Sequence, residues 1–416
     1  MNLKCIADKL KKIKKFKKYA IIFVTALVLI TLLISVFIQF VKTIDGEYTF
    51  KTFSGEIIKY NGKETDVVIP EKIMGADVKR ICKGAFKNTS VKSVTVPDSV
   101  TIIDDGAFEN TTNLKEVKLS KNLTRIGDRA FYKSALEKTI IPSGVSYIGE
   151  SAFSETKIKQ ILIPSTVNSI LKGTFKSCHD LKYIFFADGV SAVYDSAFAD
   201  CVSLENIYFD EKLTYIGSGV FSGCTSLEKI EIPNSAKMVM PEDDKSYIDG
   251  MFAGCRNLRR VKLPDGFSEI GARMFYDCQK LTEIDIPDSV TKIGKEAFCM
   301  CISLREITIG ENVKKIELTK ENEKGESPFA GCVKLEKVTF NNTPKELGYK
   351  MFYGCASLKE ITVPKSVEKI DKWAFLDCYS LEKVILLNEN TNIDAHAFDN
   401  CNSVIIEKSV NTEEKK

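Results

Sequence analysis

The sequence predicts a repeat solenoid, a stack of about fourteen rungs of 22–23 residues carrying a parallel β-sheet, preceded by one transmembrane helix. Three observations predict it. Phenylalanines recur at near-constant intervals as Phe86, Phe108, Phe131, Phe153, Phe175, Phe198, Phe221, Phe252, Phe275, Phe298, Phe329, Phe352, Phe375 and Phe398. All intervals are 22 or 23 residues except two of 31. A period in the twenties means one repeated supersecondary unit, too small for a private core, that buries its apolar face on its neighbours. The second observation is an Ile or Val five residues before the Phe in eleven of the fourteen units, a further apolar stripe. The third is an uncharged run of 23 residues from Tyr19 to Val41.

That run is long enough to cross a hydrocarbon core of ~30 Å as a helix. A cleavable signal would end in small residues, whereas this run ends in Val36, Phe37, Ile38, Gln39, Phe40 and Val41. It reads as an uncleaved signal-anchor. Eight lysines before it against Asp8 give residues 1–18 a charge of +7, so this segment is expected on the cytoplasmic side and the repeats outside. With +3 overall, the rest of the chain carries −4 and shows no basic stripe, which argues against nucleic acid.

Each rung opens with L-x-x-I-x-I, as in Leu281, Ile284 and Ile286; the two-residue spacing is that of a short strand with one buried face. Proline follows at 97, 142, 164, 233, 264, 287 and 364, where a residue without N–H ends strand pairing. Ala precedes the Phe in eight rungs and permits close backbone approach. Three residues after the Phe stands a cysteine in ten successive rungs, from Cys178 to Cys401; the first four rungs have Thr89, Thr111, Ser134 and Thr156. Equivalent side chains on rungs ~4.8 Å apart hold their Cβ atoms too far apart for the ~3.5–4.5 Å of a disulfide. A column of reduced, buried thiols is expected. No CxxC or Cys/His pair stands at zinc-ligand spacing.

The pattern I-P-x-S-V-x-x-I-G-x-x-A-F-x-x-C-x-x-L resembles the BspA-like leucine-rich repeat family of surface proteins over roughly residues 66–406. The resemblance implies a leucine-rich-repeat-like solenoid displayed outside the cell and used to hold proteins or other cells. Segment 46–70 resembles that family's N-terminal capping strands. The expected organisation is thus a basic cytoplasmic tail (1–18), the anchor helix (19–41), capping strands (45–70), the solenoid (71–406) and a polar tail (407–416).

Chemistry is sparse. His179 and His396 have no nucleophile or carboxylate partner evident in sequence, and there is no phosphate-binding glycine loop, nucleophile elbow or H-E-x-x-H. No catalysis, cofactor or metal is expected. The Glu242-Asp243-Asp244 run reads as solvated charge, and the two 8-residue insertions, within 234–250 and 311–328, read as loops on one side or as a partner-binding edge. The sharper binding candidate lies on the strands. The residue between the two buried aliphatics faces solvent, and it is mostly polar down the array to Ile385, but rungs three to six break the rule with Ile140, Leu162, Phe185 and Tyr208 in succession, with Tyr183 beside Phe185. This stripe is the expected contact surface for a protein or cell-surface partner, or for self-association. Sheet-stabilising stacking is the other reading of it. A non-binding surface stalk and, less favoured, an exported hydrolase are the alternative functions.

Overall fold

The computed structural model describes residues 18, 23–32, 42–238, 250–341 and 344–408. Two antiparallel hairpin strands, Lys42–Asp45 and Tyr48–Lys51, lead into Glu56–Tyr60, which closes the N-terminal end. From there the chain coils. Asp66–Val68 pairs in parallel with Ser93–Thr95, and that strand with Glu116–Lys118, so one column of parallel strands begins inside the segment that resembles a cap. This column continues through Gln160–Ile163 beside Tyr183–Phe186 to Ile405–Lys408. A second column of two-residue strands is built from the Ile and Val five residues before most of the phenylalanines: Ile81 pairs with Ile103 and Ile103 with Ile126, and Ile57 of the cap strand pairs with Ile81. Both columns bury aliphatic side chains inward, because alternate residues of a strand point to opposite faces.

The phenylalanines occupy a third side of the coil. From Phe86 to Phe375 every one is fully buried, and Phe398, on the last rung, is half-buried. Successive rings run nearly parallel, with centroids from 4.9 Å apart (Phe86–Phe108) to 5.9 Å (Phe198–Phe221), the offset stacking that aromatic quadrupoles favour. Tyr60 lies 4.9 Å below Phe86 and carries the stack into the cap, making about fifteen turns in all.

The turn that presents each ring is strained, and the stacking compensates. In every rung the residue two after the Phe has positive φ, and in most the residue two before it does as well. Asn, Asp and Gly fill many of these places, since they tolerate the left-handed region. Arg129, Lys133, Met300, Lys350 and Trp373 fill others, each at a cost of ~1–2 kcal/mol. Hydrogen bonds between rungs offset that cost. In one turn Gly106 N donates to Asp128 O (2.8 Å), Phe108 N to Ala130 O (2.7 Å) and Asn110 N to Tyr132 O (2.7 Å). The turn is therefore a third hydrogen-bonded ladder. It exists only when the neighbouring rung is in place.

The cysteines fill the corner beyond the Phe as free thiols, and no disulfide occurs among the described residues. Each thiol of the column reaches back to the Phe carbonyl of the preceding rung, as Cys201 Sγ does to Phe175 O (3.1 Å). The shorter hydroxyls of Thr111 and Thr156 instead bond the carbonyl of their own rung's Phe, at 2.7 and 2.8 Å. Ser134 lies in the same buried corner.

Of the expected anchor, residues 23–32 are helical with exposed side chains, and the remainder of 19–41 lies outside the described residues. No helix among the described residues is long and apolar enough to cross a membrane, so the structure itself does not display the transmembrane helix expected from the sequence. The first insertion also lies largely outside them. The second is tied down. Leu318 packs where a Cβ on Gly348 would stand, Ser327 Oγ donates to Tyr349 O (2.5 Å), and Lys372 pairs with Glu321 (2.6 Å).

Candidate interaction surface

The long-strand column positions the candidate residues. Gln160 pairs with Tyr183, and Tyr183 bridges Asn206, so two residues further along each strand Leu162, Phe185 and Tyr208 fall into one file. Glu116 bridges Lys138, which sets Ile140 beside Lys118, and the 22-residue repeat places it one rung before Leu162. Leu162 and Phe185 are direct register partners. The four side chains are 86, 55, 53 and 71 % exposed. Lys118 bounds the file on one side, and the Glu231–Lys262 ion pair lies beyond it on the other. The stripe is the longest run of exposed apolar residues on successive rungs among the described residues; Val68 (73 %) and Ile405 (63 %) are exposed apolar residues towards the two ends of the same column.

Tyr183 shares this face but is half-buried. Its ring lies 6.3 Å from that of Phe185, its hydroxyl donates to Glu205 Oε2 (3.0 Å), and Lys182 pairs with the same carboxylate (3.0 Å). It supports Phe185 from the side with its polar tip already engaged. Two aromatics were not singled out from sequence. Phe186 and Phe209 are half-buried and stack at 5.7 Å, and Phe209 reaches Phe221 of the central column at 6.2 Å. The readable signal was the missing proline in these two rungs, where Ala187 and Asp210 stand instead. The stripe's most aromatic portion is thus wedged from beneath by further rings.

The remaining candidates for chemistry stand apart. His179 is exposed. His396 Nδ1 lies 3.1 Å from Asp399 Oδ2, which also accepts from Trp373 Nε1 (3.1 Å), a surface arrangement at the last rungs. Among the described residues no group of His, Cys, Asp and Glu is arranged to hold a metal ion. Burial pushes the Cys178 thiol up to about 11 and that of Cys299 to about 12, away from nucleophilic thiolate character. An open groove of about 880 Å³ lies further along the strand face, lined by Lys337, Thr339, Lys359, Glu360 and Thr362, without convergent catalytic groups.

Two parallel strand columns closed by an aromatic spine define a leucine-rich-repeat solenoid. The profile of the family described as BspA type leucine rich repeat region (6 copies) matches residues 79–204, 147–241, 236–320 and 322–414. The chain belongs to that family. A leucine rich cell surface protein from Faecalibacterium prausnitzii is 26 % identical, with a TM-score of 0.52 over 89 % of this chain and 95 % of that one. A leucine-rich repeat protein from Bacteroides ovatus is 24 % identical (TM-score 0.48; 85 and 96 % covered), and the pneumococcal vaccine antigen PcpA 17 % (TM-score 0.41; 89 and 85 %). No curated protein matches the sequence.

Proposed function

We propose that this protein is tethered to the cell membrane by residues 19–41, with its lysine-rich N-terminus cytoplasmic, and displays the solenoid outside the cell to bind proteins or other cells without catalysing a reaction. The observation that carries the binding role is the file Ile140, Leu162, Phe185 and Tyr208, four large apolar side chains left in water on four successive rungs. Aromatics in such files are the usual energetic anchors of an interface. The description of the Faecalibacterium neighbour as a cell surface protein supports display, and the charge-free run behind eight lysines supports the tether.

The test compares the parent with the Phe185→Ser, Tyr208→Ser double variant for binding to immobilised matrix and cell-surface proteins, and for self-association by sedimentation. Loss of binding or association with unchanged circular dichroism supports the reading. Equal binding by the variant leaves the file as sheet stacking. Orientation is tested on intact cells. External protease is expected to digest the repeats while an impermeant thiol label fails to reach Cys5; protected repeats reverse the topology.

A further inference from the structure

Where the chain enters the solenoid, three features meet at one edge. The first strand begins at Lys42, the residue after the apolar run, and Lys42 pairs with Lys51 of the second strand. Two residues past Lys51, in the turn before Glu56, stands Phe53, 79 % exposed. That turn is pressed against a second one. Gly55 sits where a Cβ would strike the carbonyl of Asp77, and Lys79 N donates to Gly55 O (2.8 Å). Asp77 in turn closes the hairpin Lys72–Ile73/Ala76–Asp77, whose tip is Met74, 58 % exposed. Among the charged residues flanking the tips, Lys51 pairs with Glu56 (3.1 Å) and Lys72 with Asp77 (3.4 Å), while Glu71 and Lys79 add one charge of each sign.

We propose that this edge, with Phe53 and Met74 at its tips, docks into the interfacial layer of the bilayer that holds the anchor, and so fixes the stance of the solenoid on the membrane. The inference rests on the tethering reading above. The occupant follows from the covalent path: with no residue between Val41 and the first strand, the edge at which Lys42 enters cannot lie far from the headgroups. An exposed Phe favours the headgroup–acyl boundary, and flanking charges that balance in sign lower the cost of bringing the edge there. Two side chains would bind a free vesicle weakly, but the tether makes their insertion an intramolecular event at high effective concentration. An exposed Phe at a turn has no packing role in the solenoid, which leaves this role open to it.

The full chain is reconstituted into phosphatidylcholine vesicles carrying bromine on upper acyl carbons, with Phe53→Trp as the reporter. Trp373, the protein's single native Trp and held near the last rungs, is the internal control. Flotation at alkaline pH first reports whether the anchor is in the bilayer. The expected result is retention with the vesicles, loss of the emission contributed by residue 53 and no loss from the parent's Trp373. Met74→Trp in the same vesicles is expected to behave likewise. Retention without quenching at either tip overturns the docking and leaves the tether standing, as does emission at residue 53 that responds only to protein concentration, the sign of a second copy on this edge. Failure to float removes the tether and the docking with it.

Discussion

Cys301 Sγ stands 3.0 Å from the carbonyl oxygen of Phe275, one rung back, and donates its proton there. Nine other cysteines of the column make the same bond to the preceding Phe carbonyl, from Cys178 (2.9 Å) to Cys401 (3.1 Å). A thiol fits because its long C–S bond spans the gap between rungs while its volume fills an apolar corner. Cys301→Ala removes both the donor and the filling, and is expected to cost about 1–3 kcal/mol in urea unfolding. Cys301→Thr, whose hydroxyl can turn to Phe298 O as Thr111 turns to Phe108 O, is expected to cost less. Equal losses from the two would show that a threonine, with its volume and its own-rung hydrogen bond, does not replace the thiol.

Thiol reactivity should follow burial. The interior thiols are pushed up by desolvation, Cys201 and Cys224 well above the ordinary range, so at pH 8 their thiolate fraction is minute. Half-buried Cys82 is pushed up to about 11, chiefly by burial and then by Glu56. Cys401, half-buried at the open end of the column, is held below the ordinary thiol value by the neighbouring Cys378. Native-state alkylation read by mass spectrometry is expected to modify Cys401 first among the described cysteines. Uniform labelling of the column would show that the stack opens readily.

The aromatic spine should behave as one packed element. Phe298 is fully buried between Phe275 (5.3 Å) and Phe329 (5.6 Å), and Phe298→Ala is expected to destabilise by about 3–5 kcal/mol. An unchanged melting profile would contradict the interior placement.

A gain is expected at Met300. Its φ is 64°, and the residues at the same place in the next two rungs are Gly331 and Gly354. Met300→Gly relieves a left-handed conformation that costs a residue with a Cβ about 1–2 kcal/mol. Because the Met side chain is 43 % exposed, little packing is lost, and a net stabilisation of roughly 1 kcal/mol is expected in equilibrium unfolding. A loss of stability would show that its sulfur, seated over Gly331, contributes more than the backbone strain costs.

The second insertion should loosen in acid. Burial opposes ionisation of Glu317, but hydrogen bonds from Lys315 (2.9 Å) and Lys292 (3.0 Å) outweigh it and hold the carboxyl below its ordinary 4.5. A folded-state pKa below the unfolded one gives stability that is full above about 4.5 and fades as pH falls through the lowered value. The protection of amides 317–327, taken relative to their intrinsic exchange rate at each pH, is expected to fall below that pH in the parent. Glu317→Gln should show reduced protection already at neutral pH, changing little on acidification. Matching pH profiles would place the acid response elsewhere.

Much of this molecule is determined by its sequence alone. The spacing of Phe86 to Phe398, the Ile five residues earlier and the L-x-x-I-x-I strands state the rung, its length and which strand residue faces water, because a one-dimensional stack repeats its local rules at each step. The file Ile140–Leu162–Phe185–Tyr208 was legible for the same reason. Only the tertiary structure decided what passes between rungs. That Cys301 bonds the previous rung's carbonyl while Thr111 bonds its own depends on a bond length set against the rung spacing. That Tyr60 extends the aromatic stack has no periodic signal, since the cap does not repeat. That Lys42, Phe53 and Met74 share an edge depends on how two hairpins fold back on one another, and contacts between unlike segments leave no period in the sequence to read.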